Sequence, residues 1–286
     1  MELIFLMGKT EYIYQNRVVA FLDVLGFQEK LVQFEEEAIR NLNKEKEEDF
    51  ENLDKGQTLR SEKADEFINT FLEAISKVNE EKFKYYLFSD NICITLNYDS
   101  DKNLLLDLLM LIADLFYSFA QKGYFLRGGI DYGKFISQDR IALGMPLVRA
   151  YKLETEVAVY PRIVISPAFK KIFEEYTLEG EVVLPVFIKS LILSSNENSY
   201  LNVFLKVFQT DDKEIYFKNV RQSIIVNLEE NKNKEKIYTK YEWLAREFDK
   251  FIDIYTEELA YLDSDYEPTA EYITKIRKLK ILSDGN

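Results

Sequence analysis

The chain has 286 residues, 47% hydrophobic and 14% aromatic, which is enough apolar side chain to fill one large domain or one domain with an appendage. Its 37 basic and 50 acidic residues leave a net charge of −13 with no sustained basic face, which excludes a nucleic-acid groove. With no histidine and a single cysteine, Cys93, it lacks an imidazole for zinc or for Ser-His-Asp hydrolysis, and it forms no internal disulfide.

Met1 to Met7 is too short, and lacks the basic flank, for a signal peptide, so a cytoplasmic location is expected. The apolar run Val18-Val19-Ala20-Phe21-Leu22 reads as a buried strand over about 17–23 that ends on Asp23. Gly26 permits a tight turn, and the helix expected over about 28–42 opens with unpaired N–H groups that favour an anion such as a polyphosphate. Residues 43–60, with NKEKEEDF and Asp54-Lys55-Gly56, read as an exposed loop or frayed helix extension. A helix over about 62–79 precedes strands at about 83–88 and 91–97, and a second strand-end acid, Asp90, sits between them in Phe88-Ser89-Asp90-Asn91. Two acids delivered in this way can hold a pair of divalent cations.

The run LLLDLLMLIADLFYSFA over 104–120 is interrupted by Asp107 and Asp114 and falls short of a membrane span. It predicts a helix over about 103–122, stopped by Gly123 and buried against a sheet, with no membrane association. Strands at about 124–131 and 160–165 flank a helical pattern at about 145–154. Further strand-like runs follow at 182–193 and 201–208. An amphipathic helix over about 234–262 carries Tyr241, Leu244, Phe248, Phe251, Ile252 and Tyr255 on its apolar side, and a last helix covers about 269–282. The alternation predicts an α/β or α+β sandwich. No repeat and no Ser/Gly-rich linker interrupts the chain, so the tail is expected to dock on the core.

Four motifs, in this order over about residues 17–167, resemble class III nucleotidyl cyclases. Phe21-Leu22-Asp23-Val24-Leu25-Gly26-Phe27 resembles that family's F-x-D-x-x-G-F strand, and Ser89-Asp90 stands where the family carries G-D. Leu126-Arg127-Gly128-Gly129-Ile130-Asp131-Tyr132-Gly133 resembles R-x-G-I-x-x-G, and GMPLVRAYKL from Gly144 to Leu153 resembles G-x-x-V-N-x-A-x-R-L. The variants L-D-V-L-G-F, F-S-D-N, R-G-G-I and A-Y-K-L-E, followed by Tyr160-Pro161-Arg162-Ile163, resemble the bacterial pyrimidine cyclases of Pycsar anti-phage defence. The resemblance implies an α+β, class III cyclase-like sandwich whose central, mostly antiparallel sheet is flanked by helices. Its implied divisions are an N-terminal segment 1–16, a catalytic domain 17–167 and a mixed, largely helical extension 168–286 packed on the core.

By the same resemblance, Asp23 and Asp90 bridge two Mn²⁺ or Mg²⁺ ions and the carbonyl of Val24 completes one coordination shell. Amides around Leu25, Gly26 and Phe27 hold the β- and γ-phosphates, Arg127 offsets phosphate charge, and Phe21 could wall the ribose or base. The family's ribose-orienting asparagine and transition-state arginine align with Val148 and Lys152. Lys152 supplies charge, but Val148 cannot hydrogen-bond a ribose, so either Arg149 takes over or the reaction is slower. Tyr86 replaces the lysine of purine-specific members, and their polar partner falls near apolar Ile141, which argues for a different base. The implied enzyme is a homodimer converting UTP to 3′,5′-cyclic UMP and pyrophosphate, with CTP to cyclic CMP as the alternative. Its product is a second messenger for a separate effector protein in anti-phage defence. A catalytically silent cyclase-like nucleotide sensor is favoured by the missing Asn/Arg pair and opposed by the two retained acids.

Overall fold

Strand β1 (Gln15–Val24) is buried on both sides because its side chains alternate between two apolar clusters. Val18, Ala20 and Leu22 enter the main core, whereas Val19 and Phe21 join a smaller cluster with Tyr86, Cys93, Phe135 and Ala150. A computed structural model describes residues 12–48, 59–99, 101–138, 141–179, 191–195, 198–261 and 270–282. After β1 come α1 (Phe27–Glu48), α2 (Glu62–Ile75), β2 (Lys84–Phe88), β3 (Asn91–Asn97) and α3 (Leu104–Ala120). Next are β4 (Leu126–Gln138), β5 (Ile141–Gly144), α4 (Met145–Lys152), a π-helical turn at Leu153–Val157, β6 (Ile163–Ile165) and α5 (Pro167–Glu179). The chain continues with β7 (Ile192–Ser195), β8 (Asn198–Leu201), a 3₁₀ segment at Val203–Gln209, α6 (Lys213–Glu230), α7 (Glu235–Tyr261) and α8 (Ala270–Arg277).

The strands form one eight-stranded sheet in the order β2-β3-β1-β4-β6-β8-β7, with β5 paired to β4. Every pairing is antiparallel except β4 with β6, whose crossover runs through β5 and α4. The architecture is therefore α+β, with a central, mostly antiparallel sheet flanked by helices and a largely helical C-terminal part. On one face α3 buries Leu105, Leu108, Leu109, Ile112, Leu115, Phe116 and Phe119 against the sheet, and the left-handed Gly123 (φ 78°) ends the helix as its sequence predicts. The helix has too few residues to cross a membrane, and no described helix is long and apolar enough to do so.

The C-terminal part shares this core. The 3₁₀ segment, α6 and α7 meet in a seam of rings in which Phe204 and Phe217 lie 5.5 and 6.1 Å from Phe251. Residues 201–208, expected as a strand, are instead mostly this 3₁₀ turn, because Val203, Phe204 and Leu205 all bury in succession against helices rather than alternating across a sheet. Helix α6 was not expected at all. Its buried stripe includes Ser223 and Asn227, and Asn227 Nδ2 satisfies itself on the carbonyls of Gly123 (3.1 Å) and Ser223 (3.0 Å). The strand-like run at 182–193 lies mostly outside the described residues, and Ile192 opens β7. Helix α1 runs on to Glu48, as the extension reading of the charged run allows.

Gly129 fixes how α4 sits on the sheet, since a Cβ there would collide with the carbonyl of Ala150 and lie 2.6 Å from Leu153 Cβ. Gly129→Ala should lift α4 from β4 and cost about 1–3 kcal/mol. Denaturant unfolding checks this, and an unchanged midpoint would show that α4 tolerates displacement.

Candidate active site

Asp23 follows Phe21 on the same side of β1, and the sheet register sets it directly opposite Arg127 on β4. Arg127 Nε donates to Asp23 Oδ2 at 2.9 Å. Its Nη2 lies 2.6 Å from Glu154 Oε1, a charge contact in which the N–H direction misses the oxygen, so this buried atom has no hydrogen bond. The Glu154 side chain is 3% exposed and hangs from the π-helical turn that follows α4, a distortion that recurs at functional sites. Asp90 occupies the turn between β2 and β3, where Asn91 Nδ2 donates to the Phe88 carbonyl (3.1 Å) and Asp90 Oδ1 (3.3 Å).

Three carboxyl groups thus gather around one guanidinium. Burial, and then the charge of Asp23, push the Asp90 carboxyl up to about 6. Burial also raises Asp23 and Glu154, against the opposing pull of Arg127 on each. Asp90 shares a hydrogen bond with Asp23, so the two titrate as a unit. A cleft of about 380 Å³ opens over this group, walled by Asp23, Val24, Leu25, Gly26, Phe27, Asp90, Arg127 and, from α7, Lys240.

Expected site residues fall into two sets. Asp23, Val24, Leu25, Gly26, Phe27, Asp90 and Arg127 share the cleft. The Leu25 N–H, expected to meet phosphate, is donated to the Phe125 carbonyl at 2.8 Å. The open donors are instead the Phe27 and Gln28 amides that begin α1 after the left-handed Gly26 (φ 74°), since the Glu29 N–H is donated to the Gly26 carbonyl at 3.2 Å. Phe21 is 9% exposed, with its ring edge-on to Tyr151 at 5.5 Å.

The others lie elsewhere in the chain. Tyr86 is buried, and its hydroxyl donates to the Ile141 carbonyl (3.0 Å) and lies 2.8 Å from Ser137 Oγ. Arg149 is held by Asp131 Oδ2 (2.7 Å) and the Tyr132 carbonyl (3.1 Å), and with Lys152 it lines a separate depression. Sequence reasoning missed Glu154 and Lys240. Glu154 was visible only as the last letter of A-Y-K-L-E, and Lys240 carried no local signal.

The donor set is suited to a hard cation. It is made of oxygen atoms and it concentrates like charge, with the Asp90 carboxyl close enough to Asp23 for each to feel the other. Among the described residues no three His, Cys, Asp or Glu side chains are placed to hold a metal by themselves. A cation here would rest on Asp23 and Asp90 together with backbone and substrate oxygens, the usual arrangement for Mg²⁺ beside phosphates.

No protein-family model and no curated protein matches the chain. Among solved structures it is similar to the adenylyl cyclase CyaB from P. aeruginosa, at 16% identity over 67% of this chain and 94% of that one, with a TM-score of 0.37. A bacterial light-regulated adenylyl cyclase is similar at 14% identity over 75% of this chain and 59% of that one, with a TM-score of 0.41. A second structure of a bacterial light-regulated adenylyl cyclase is similar at 14% identity over 74% of this chain and 99% of that one, with a TM-score of 0.37.

The folded protein holds the Asp90 proton to about pH 6, well above an ordinary aspartate, so it binds more protons than the unfolded chain across that interval. Stability of the metal-free protein should therefore fall as pH rises from about 4 to about 6. Thermal melts in chelator check the slope, which Asp90→Asn should flatten. Mn²⁺ at pH 7 should raise the melting temperature of the wild type and leave that of Asp90→Asn unchanged.

Ser89 is the one described non-glycine residue with positive φ (57°). Ser89→Gly should relieve roughly 1 kcal/mol of this strain. A lower melting temperature in the variant would contradict it.

Proposed function

We propose that this chain is a nucleotidyl cyclase of the class III type that acts on a pyrimidine triphosphate. The observation that carries the reading is the convergence of Asp23, Asp90, Arg127 and the first turn of α1 on one cleft. In such a reaction the ribose 3′-oxygen bonds to the α-phosphorus as the bond from that phosphorus to the bridging oxygen breaks. Pyrophosphate leaves with the bonding electrons, and the hydroxyl proton is released to water.

Asp23, Asp90 and the Val24 carbonyl would hold Mn²⁺ or Mg²⁺, which when bound acidifies the hydroxyl and neutralises phosphate. The remaining work falls to the chain itself. The first amides of α1 present N–H groups and a positive dipole end to the leaving phosphates. Arg127, already suspended between Asp23 and Glu154, offers a planar fork to an oxyanion. Phe27 and Leu31 wall the site with apolar surface.

Two further features support the finer reading. Tyr86 and Ile141, the positions that replace the purine-reading pair, touch each other, and the Tyr86 hydroxyl is occupied by the Ile141 carbonyl. An adenine edge presented there would lose partners worth roughly 1–3 kcal/mol each. Ile141, Leu143, Met145, Val148 and Tyr151 stand 44–57% exposed along β5 and α4, an apolar patch that suits a second copy of the chain. In that homodimer Arg149 and Lys152 serve the partner's cleft. UTP is the substrate we infer, with cyclic UMP as a messenger for a separate effector in anti-phage defence, and CTP is the alternative.

Incubation of the purified protein with each ribonucleoside triphosphate and Mn²⁺, with products resolved by mass, tests the reading. UTP or CTP should be cyclised at least tenfold faster than ATP or GTP. Equal turnover of ATP and UTP would leave a cyclase without base selectivity, and no product from any of the four would favour a silent nucleotide sensor. Asp23→Asn and Asp90→Asn should each retain under a tenth of the activity. Mixing Asp23→Asn with Lys152→Ala chains should recover part of it, and an active monomer would exclude the shared site.

A further inference from the structure

Lys240 lies on α7, in the C-terminal part of the chain, yet it walls the cleft that holds Asp23, Asp90 and Arg127. It also walls an adjoining groove of about 210 Å³ between the start of α1 and helices α6 and α7, and Leu25 and Gly26 are common to both. The two hollows thus adjoin at Leu25, Gly26 and Lys240, beside the N-terminus of α1. The other lysines of the groove are engaged: Lys234 is 2.9 Å from Glu29 Oε2, and Lys30 lies over the Tyr124 ring at 5.9 Å. Among the described residues the half-buried Lys240 ammonium has neither a hydrogen bond nor an ion pair. Burial, and then the like charge of Arg127, act against this ammonium, and the more distant pull of Glu29 and Asp23 offsets them only in part. Neither carboxylate reaches it as an ion pair, so a half-buried ammonium beside a guanidinium and a helix N-terminus is placed to receive an anion.

We propose that Lys240 binds the terminal phosphates of the nucleoside triphosphate, the part released as pyrophosphate, so that α7 contributes a substrate-binding residue to the site on the catalytic strands. This rests on the cyclase reading for the identity of the substrate, but polyphosphate binding can be measured without turnover. With the α-phosphorus at Asp23 and Asp90, the terminal phosphates reach Lys240 where it walls the cleft; the adjoining groove also carries Glu29 and Glu230, so the phosphate chain ends at Lys240 and does not run on into it.

The test is calorimetric binding of inorganic tripolyphosphate in excess Mg²⁺ to the full-length wild type, Lys240→Met, Lys240→Gln and Lys240→Arg. Lys236→Gln, an exposed lysine on the same helix, serves as the charge control. Lys240→Met and Lys240→Gln should weaken binding about tenfold or more, while Lys240→Arg and Lys236→Gln stay within about threefold of wild type. Thermal melts should confirm that each compared variant is folded. Should Lys240→Met not fold, Lys240→Gln decides. Wild-type affinity in the neutral variants, or no tripolyphosphate binding by the wild type, would overturn the proposal while leaving UTP cyclisation, if observed, intact. Lys240-dependent binding without turnover of any triphosphate would sustain the polyphosphate site and remove the cyclase reading.

Discussion

The placement of Arg127 between Asp23 and Glu154 is the constraint on which the rest of the site depends. A guanidinium on the middle strand of a sheet is costly to bury alone, and so are the carboxylates facing it. The pairing across β1 and β4 makes each tolerable and fixes the geometry, because the register that opposes Asp23 to Arg127 also opposes Phe21 to Gly129. The missing Cβ at Gly129 then lets α4 approach the strand, and the π turn after α4 delivers Glu154 to a second nitrogen of the guanidinium. One arginine still leaves the third acid, Asp90, uncompensated. This excess negative charge makes the cleft receptive to divalent cations despite the strongly acidic composition of the chain.

The two faces of the sheet are treated unequally. One is covered by α3 and by the helices of the C-terminal part, whose residues belong to the same buried cluster as β1 and β3. The other carries a small cluster under α4 and a margin of exposed apolar side chains. The side chains of Asp23, Arg127 and Asp131 fall on this thinner side, since they alternate with residues committed to the large core. The candidate site and the exposed apolar surface therefore share a face because of strand parity.

Much of the fold and part of the site were legible in the sequence. Asp23 and Asp90 stood out because each terminates an apolar run, and strand-end acids keep their positions whatever packs around them. Arg127 could be read from its strand but not its bond to Asp23, which depends on register. Glu154 and Lys240 were not legible, since one needs a π-helical distortion and the other the docking of a helix far along the chain. The Leu25 amide shows a subtler limit, because a backbone donor's availability is set by where the neighbouring carbonyl of Phe125 comes to rest. The 3₁₀ segment read as a strand because a short apolar run carries no period of its own. Helix α6 hid because serine and asparagine occupy its buried stripe.

The exposed margin along β5 and α4 has a further consequence once the net charge of −13 is set beside it. Two copies approaching through that face bring together like-charged bodies, and the repulsion acts before any apolar contact forms. Added salt shortens the reach of that repulsion to about 8 Å at physiological ionic strength and strengthens apolar burial if the anion is sulfate or phosphate. Association through this face should thus tighten with ionic strength, the reverse of an interface built on opposite charges, and dilution into low-salt buffer would separate the copies first.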